Sequence, residues 1–148
     1  MKTFVALIMF SCLRLAPANW TTNLEDAKKM AAVENRFIIL NFSGSDWCGP
    51  CIRMHKDLFE SQVFEEFSGE KLVLVNADFP RLKKHQLSKE QQSINERTAD
   101  QYNPTGIFPL TLLLKPDGTV IKKWEGLPNL SPEAFTDDIK TAIVNAMQ

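Results

Sequence analysis

The chain has 148 residues, 44% apolar and 24% charged, with 17 basic against 18 acidic side chains, the profile of an ordinary soluble domain. A formal net charge of −1 excludes nucleic-acid binding driven by bulk charge, and three cysteines are too few for a disulfide-stapled scaffold. A chain of this size buries roughly two thirds of its unfolded surface, enough for one core and not for two.

Met1-Lys2-Thr3 carries a positive charge, Phe4 to Phe10 is an unbroken apolar run, and Ala16-Pro17-Ala18 places small residues at alternate positions. Charge, apolar stretch and A-x-A in that order predict a secretory signal peptide over residues 1–18, cleaved after Ala18, and an exported domain over residues 19–148. The apolar run is about a third of the roughly 20 residues of a membrane span. Two other readings are a buried amphipathic segment and lipidation at Cys12, for which Met9-Phe10-Ser11 is a poor context. Cleavage removes Lys2, Arg14 and Cys12, so the domain becomes mildly acidic and keeps Cys48 and Cys51 as an even pair.

Thr22 or Asn23 can cap a helix whose Leu24, Ala27, Met30 and Ala31 follow helical spacing to about Asn35. Phe37 to Phe42 is then a nearly continuous apolar run, which suits a strand covered on both faces. Ser43-Gly44-Ser45-Asp46 is a polar turn. Ile52, Leu58 and Phe59 predict a helix from Cys48 to about Glu60, and Val63, Phe64 and Phe67 a further turn or two ending at Gly69. Leu72 to Ala77 is a second buried strand, so the Cys48 region lies at the carboxyl end of the first strand of a βαβ unit, where open α/β sheets gather their chemistry. Residues 79–101 form a polar insertion, with Ser88 capping a helix to about Tyr102 and Leu87, Ile94 and Ala99 giving it a thin apolar stripe. A loop with Pro104, Gly106 and Pro109 leads to a hairpin, Thr111–Leu114 and Thr119–Trp124, turned at Asp117-Gly118. Ser131-Pro132 opens the last helix, with Phe135, Ile139, Ala142, Ile143 and Ala146 on one face.

Two cysteines separated by two residues at a helix start have Cα atoms roughly 5 Å apart, within the window for a disulfide, so the pair can open and close with little backbone movement. Cys48 falls in the first turn, where free N–H groups stabilise a thiolate; Cys51 lies one turn deeper and is expected to be the more buried. Pro50 is tolerated because the first helical N–H groups have no intrahelical partner. Thiol-disulfide exchange follows: Cys48 attacks a substrate disulfide and Cys51 resolves the mixed disulfide.

Trp47-Cys48-Gly49-Pro50-Cys51 is identical to the active-site pentapeptide of thioredoxins, and the order of elements resembles the thioredoxin fold over residues 19–148. The resemblance implies an α/β architecture, a central mixed sheet flanked by helices, with a helical insertion before a cis-proline loop. It implies a catalytic Cys48/Cys51 pair forming a disulfide, and a substrate surface built from Trp47, Gly49, Pro50, Phe108 and Pro109, with Pro109 in the cis-proline position. The extra residue in Phe42-Ser43-Gly44-Ser45-Asp46-Trp47, the Asp78-Phe79-Pro80 step and the long insertion are similar to exported bacterial members of the DsbH type. That narrower likeness implies a periplasmic reductase acting on disulfide-containing exported proteins, a membrane electron donor resembling DsbD-type transporters, a monomer, and no cofactor, metal or nucleic acid. Two departures bear on mechanism: where thioredoxins carry a buried Asp and a Lys facing it, this sequence aligns Asn41 and Leu74. Asn cannot accept a proton, so deprotonation of Cys51 falls to water, to Asp46 or to no group, and losing both partners together strands no charge.

The alternatives are an oxidase or isomerase, and a module that holds metal or client without turnover. A structural zinc site wants four ligands, and His55 and His85 are the histidines that could join the cysteines. His55 is read as a surface or packing residue and Trp20 and Trp124 as packing residues. The run Arg81, Lys83, Lys84, His85, Lys89 is read as a solvated loop or as a guide for an acidic partner, with Glu90, Glu96 and Asp100 partly cancelling it.

Overall fold

A computed structural model describes residues 19–148. The expected signal peptide and Cys12 lie outside the described residues.

Five strands form one mixed sheet in the order β1-β3-β2-β4-β5. Strand β2 (Phe37–Ser43) pairs in parallel with β3 (Leu72–Asp78), which pairs in parallel with β1 (Trp20–Thr21). On its other edge β2 pairs antiparallel with β4 (Leu110–Leu114), and β4 with β5 (Val120–Glu125). Burial on both faces explains the continuous apolar runs of β2, β3 and β4. Ile39, Leu72, Leu74 and Leu113 point into one core, and Ile38, Leu40, Phe42, Val73, Val75, Leu110, Leu112 and Leu114 into the other.

The first core is closed by α2 (Gly49–Met54), the π-helical turn His55–Phe59, α3 (Gln62–Lys71) and α5 (Pro132–Ala146). Phe59 meets Phe64 and Phe135 at ring-centroid distances of 5.2 and 6.0 Å. The second core is closed by α1 (Leu24–Glu34), capped by Asn23 and ended by Asn35 in the left-handed region, and by α4 (Lys89–Tyr102), capped by Ser88. The α/β class, the mixed sheet and the inserted helix match the expectation.

Four local features differ from the sequence reading. The short β1 was not anticipated: two residues carry no period, and its place comes from pairing with β3. The helix after Cys48 is α-helical only to Met54, then widens into the π turn, with the Glu60 amide donating to His55 O at 2.9 Å. Gly69 lies inside α3, which runs on to Lys71, because Ser68 is buried and the Leu72 amide still bonds to Ser68 O. On α5, Ala146 is half-buried, and Thr136 joins the buried face with its hydroxyl donating to Pro132 O at 2.8 Å.

The thin stripe on α4 is real, since Leu87, Ile94 and Ala99 are only half-buried; amides complete its anchorage. Buried Asn95 donates to Asp78 O at 2.8 Å, Gln91 donates to Thr22 O at 2.8 Å, and the Tyr102 hydroxyl donates to Gly118 O at 3.0 Å. Gly118 has φ +88°, and a Cβ there would stand 2.6 Å from that hydroxyl oxygen, so the Asp117-Gly118 turn requires glycine. The Ser131 hydroxyl accepts from the Ala134 amide at 3.2 Å. Ser131→Ala removes this cap and is expected to cost about 1 kcal/mol, read as a lower denaturant midpoint at unchanged slope.

Candidate active site

Cys48 and Cys51 stand where β2 ends and α2 begins. Cys48 is the N-cap of α2 in extended conformation, and its Sγ accepts from the Cys51 amide at 3.3 Å. The Cα atoms are 5.2 Å apart and the sulfurs lie at disulfide distance, 2.12 Å, as the spacing required. Pro50 occupies the first turn, where it costs no hydrogen bond, and Gly49 and Pro50 are exposed. The expected burial difference is absent: Cys48 is 5% and Cys51 4% exposed, because bonded sulfurs shield one another.

The polar turn before Cys48 holds Trp47 in place. Gly44 O accepts from the Trp47 and Cys48 amides at 3.2 and 2.9 Å. A Cβ on Gly44 would stand 2.2 Å from Trp47 Cε2, so the indole lies directly against this backbone. Trp47 Nε1 donates to Phe79 O at 2.8 Å, its ring meets the edge of Phe108 at 5.4 Å, and the Arg81 guanidinium sits 3.7 Å from its centroid. Phe108 also meets Phe79 at 5.5 Å and precedes a cis bond to buried Pro109. The loop reaching Phe108 is braced by buried Asn103, whose side chain accepts from the Ile107 amide and donates to Ile107 O, each at 2.8 Å.

Asp46 is fully engaged elsewhere. Its carboxylate accepts from the Arg81 and Leu82 amides, both at 2.9 Å, and lies 3.0 Å from His85 Nδ1. The Arg81 amide above all, joined by Leu82 and His85, holds its pKa below the ordinary aspartate value against the opposing effect of desolvation. A role for Asp46 in deprotonating Cys51 is therefore set aside: both oxygens fasten the start of the insertion to the active-site turn. A pKa lower in the folded than in the unfolded state stabilises the fold above the ordinary aspartate range, near about pH 4. That contribution is lost as pH falls below this value, through the depressed pKa. Asp46→Asn is accordingly expected to melt below the wild type at neutral pH and to converge with it in acid, as followed by thermal melts across pH.

Behind Cys51, the position taken for the thioredoxin acid is filled by a neutral polar ladder. Asn41, 2% exposed, accepts from Thr111 Oγ1 at 3.0 Å and donates to Asn76 Oδ1 at 3.1 Å, and Asn76 also accepts from Ser43 Oγ at 3.0 Å. Ser43 Oγ and the Ser45 amide lie within hydrogen-bond distance of Asp78, at 3.1 and 2.9 Å. Leu74 does not face Asn41: the register pairs Asn41 with Asn76 and Leu74 with Ile39, and Leu74 points into the first core. No buried side-chain polar atom among the described residues lacks a partner. A groove of about 390 Å³ reaches Cys51 past Ser43, Asn76, His55, Lys56 and Glu60.

The histidines do not converge on the cysteines. His55 packs against Trp20 at 5.3 Å and Phe59 at 5.7 Å and lies 3.5 Å from Glu60, while His85 belongs to the Asp46 clamp. Trp124 is 8% exposed, packs on Phe135 and donates to Asp138 at 2.9 Å. The structure thus sets Trp47, Cys48, Gly49, Pro50 and Cys51 on one turn and helix start, with Phe108 against Trp47 and Pro109 following it through a cis bond. Sequence reading missed Gly44, the Phe79 carbonyl, Asn76 and Asn103; the Asp78-Phe79-Pro80 step was the available signal for Phe79.

A family model described as thioredoxin-like matches residues 19–116. The disulfide bond reductase DsbH of Chlamydia pneumoniae is 33% identical over 131 residues, 87% of this chain and 76% of that protein. The solved structure of a DsbH oxidoreductase superposes with a TM-score of 0.80 at 27% identity, over 96% of this chain and 95% of that one. A thioredoxin from Thermus thermophilus has a TM-score of 0.64 at 13% identity, covering 88% and 90%, a likeness of fold.

Proposed function

Because the chain belongs to the thioredoxin-like family, we propose that it is an exported thiol-disulfide oxidoreductase that reduces protein disulfides, with Cys48 as nucleophile and Cys51 as resolving thiol. The observation that carries this reading is the Cys48–Cys51 pair at the start of α2, in a chain 33% identical to a disulfide bond reductase.

In the reduced protein a thiolate at Cys48 keeps the Cys51 amide as its donor and lies at the positive end of α2, which favours the charged form. It attacks one sulfur of a client disulfide, a Cys48–client bond forms, and the client's other sulfur leaves as a thiolate. Cys51 then loses its proton and attacks Cys48 Sγ. The Cys48–Cys51 bond forms, the second client thiolate leaves, and two electrons have passed to the client, whose thiolates take up two protons. With Asn41 in place of a carboxyl, the groove at Cys51 lets solvent accept the proton, since about 30 Å³ suffices for one water.

Trp47 adjoins the nucleophile and carries Phe108 against its ring, and Phe108, the residue before the cis bond to Pro109, offers its backbone to an extended client. Gly-Pro between the cysteines favours reduction, by the thioredoxin precedent of about −270 mV. A reductant working outside the cytoplasm needs recharging, which assigns the protein a membrane dithiol donor resembling DsbD-type transporters; the catalytic unit is a monomer. The test is dithiothreitol-driven reduction of insulin. Acceleration well above the uncatalysed rate is expected, whereas no acceleration combined with stoichiometric copper or zinc binding identifies a holding module instead.

A further inference from the structure

The basic run at the start of the insertion is unspent. Residues 81–86 are all exposed, and among the described residues Arg81, Lys83 and Lys84 make no ion pair. The neighbouring acid, Asp46, has its oxygens on the Arg81 and Leu82 amides and on His85, so it fixes the backbone of this run and forms no ion pair with Arg81, Lys83 or Lys84. The placement of Arg81 is specific. Its amide is bonded to the residue before Trp47, and its guanidinium carbon stands over the indole, 3.7 Å from the ring centroid. A stacked guanidinium is held in one plane with its N–H edges outward, the geometry that receives a carboxylate in a fork, which a lysine does not offer. Trp47 is itself pinned by Phe79 O and Phe108, so the cation is held on the side chain that immediately precedes the nucleophile in sequence.

We infer that Arg81, with Lys83 and Lys84 behind it, is a specificity device that selects clients carrying an acidic side chain beside the disulfide cysteine that Cys48 attacks. This rests on the reductase reading and adds the substrate chemistry to it. A client presenting Asp or Glu at that position meets the guanidinium as its disulfide reaches Cys48; one presenting Lys meets like charge. The unpaired charges also accelerate encounter with acidic clients, an effect that salt removes.

The test uses two peptides with the same intramolecular disulfide, differing only in Glu or Lys beside one cysteine, each rate divided by that of the same peptide with dithiothreitol alone. For the wild type, normalised kcat/KM is expected to favour the Glu peptide by about 5- to 20-fold at low ionic strength, shrinking towards equality at about 1 M salt, where charges are screened within about 3 Å. Arg81→Gln is expected to reduce the ratio several-fold, and Arg81→Glu to invert it, an inversion that loss of packing on Trp47 does not produce. A wild-type ratio near one with both peptides reduced overturns this inference and leaves the reductase reading standing, as does an unchanged ratio in both variants. Failure to reduce either peptide overturns the reductase reading, and this inference with it.

Discussion

Replacing Cys51 by Ala is expected to convert the protein from a catalyst into a trap. Cys48 keeps its N-cap position and still attacks a client disulfide, but the Cys51 thiol one turn on, the group that would break the mixed disulfide, is gone. Covalent complexes should accumulate, separable on non-reducing gels and released by dithiothreitol. Cys48→Ser is expected to lose about three orders of magnitude or more of turnover and to trap nothing, because a hydroxyl is not a thiolate nucleophile near neutral pH. The pair of results separates the roles: a Cys51→Ala protein that turns over normally, or a Cys48→Ser protein that traps clients, contradicts the assignment of nucleophile and resolving thiol.

The second large effect is expected at Gly44. Any side chain there enters the space of Trp47, with a Cβ 2.2 Å from Cε2 and 2.5 Å from both Cζ2 and Nε1. The indole cannot yield freely, since it is tied to Phe79 O and stacked under Arg81. Gly44→Ala should therefore cost about 1–3 kcal/mol from overpacking, with about 1 kcal/mol more if the Trp47–Phe79 hydrogen bond breaks. Turnover of protein clients should fall roughly tenfold, the equivalent of about 1.4 kcal/mol in transition-state stabilisation. Melting temperature, tryptophan fluorescence and kcat/KM should move together; unchanged values in all three mean that the turn does not hold Trp47.

How far the sequence could be read follows from which interactions are local. The cap at Asn23, the Asp117-Gly118 turn, the Ser131-Pro132 helix start and the buried strands each depend on neighbours in the chain, and each was legible. The Cys48–Cys51 separation was legible for the same reason, being set by three steps of backbone. What escaped depends on partners far along the chain. β1 exists only by pairing with β3, and Asn41 finds Asn76 rather than Leu74 because the β2–β3 register is fixed by the whole sheet. Asp46 is next to Trp47 in sequence, yet its role comes from amides 35 and 36 residues away. The thin apolar stripe of α4 was seen correctly, but Asn95, Gln91 and Tyr102 supply the missing anchorage through hydrogen bonds that no periodicity encodes.

The replacement of a buried acid by the Thr111–Asn41–Asn76 ladder also has a physical reading. An isolated carboxylate at Asn41 would need a cation or several donors to offset its desolvation, and the residue paired with this position across the β2–β3 register is the neutral Asn76. The ladder is neutral, and none of its buried polar atoms lacks a partner. In the proposed mechanism, the proton that Cys51 loses passes to solvent in the groove that reaches it.

The Cys48–Cys51 pair is proposed to work as a reductant. The most direct test of this role is the thiol-disulfide equilibrium of the purified protein against glutathione, with the reduced fraction read from trapped thiols. A potential in the reducing range of thioredoxin and the glutaredoxins, about −270 to −200 mV, is expected. A value above about −180 mV, towards the DsbA-type oxidants near −120 mV, would contradict it and identify the protein as an oxidase or isomerase.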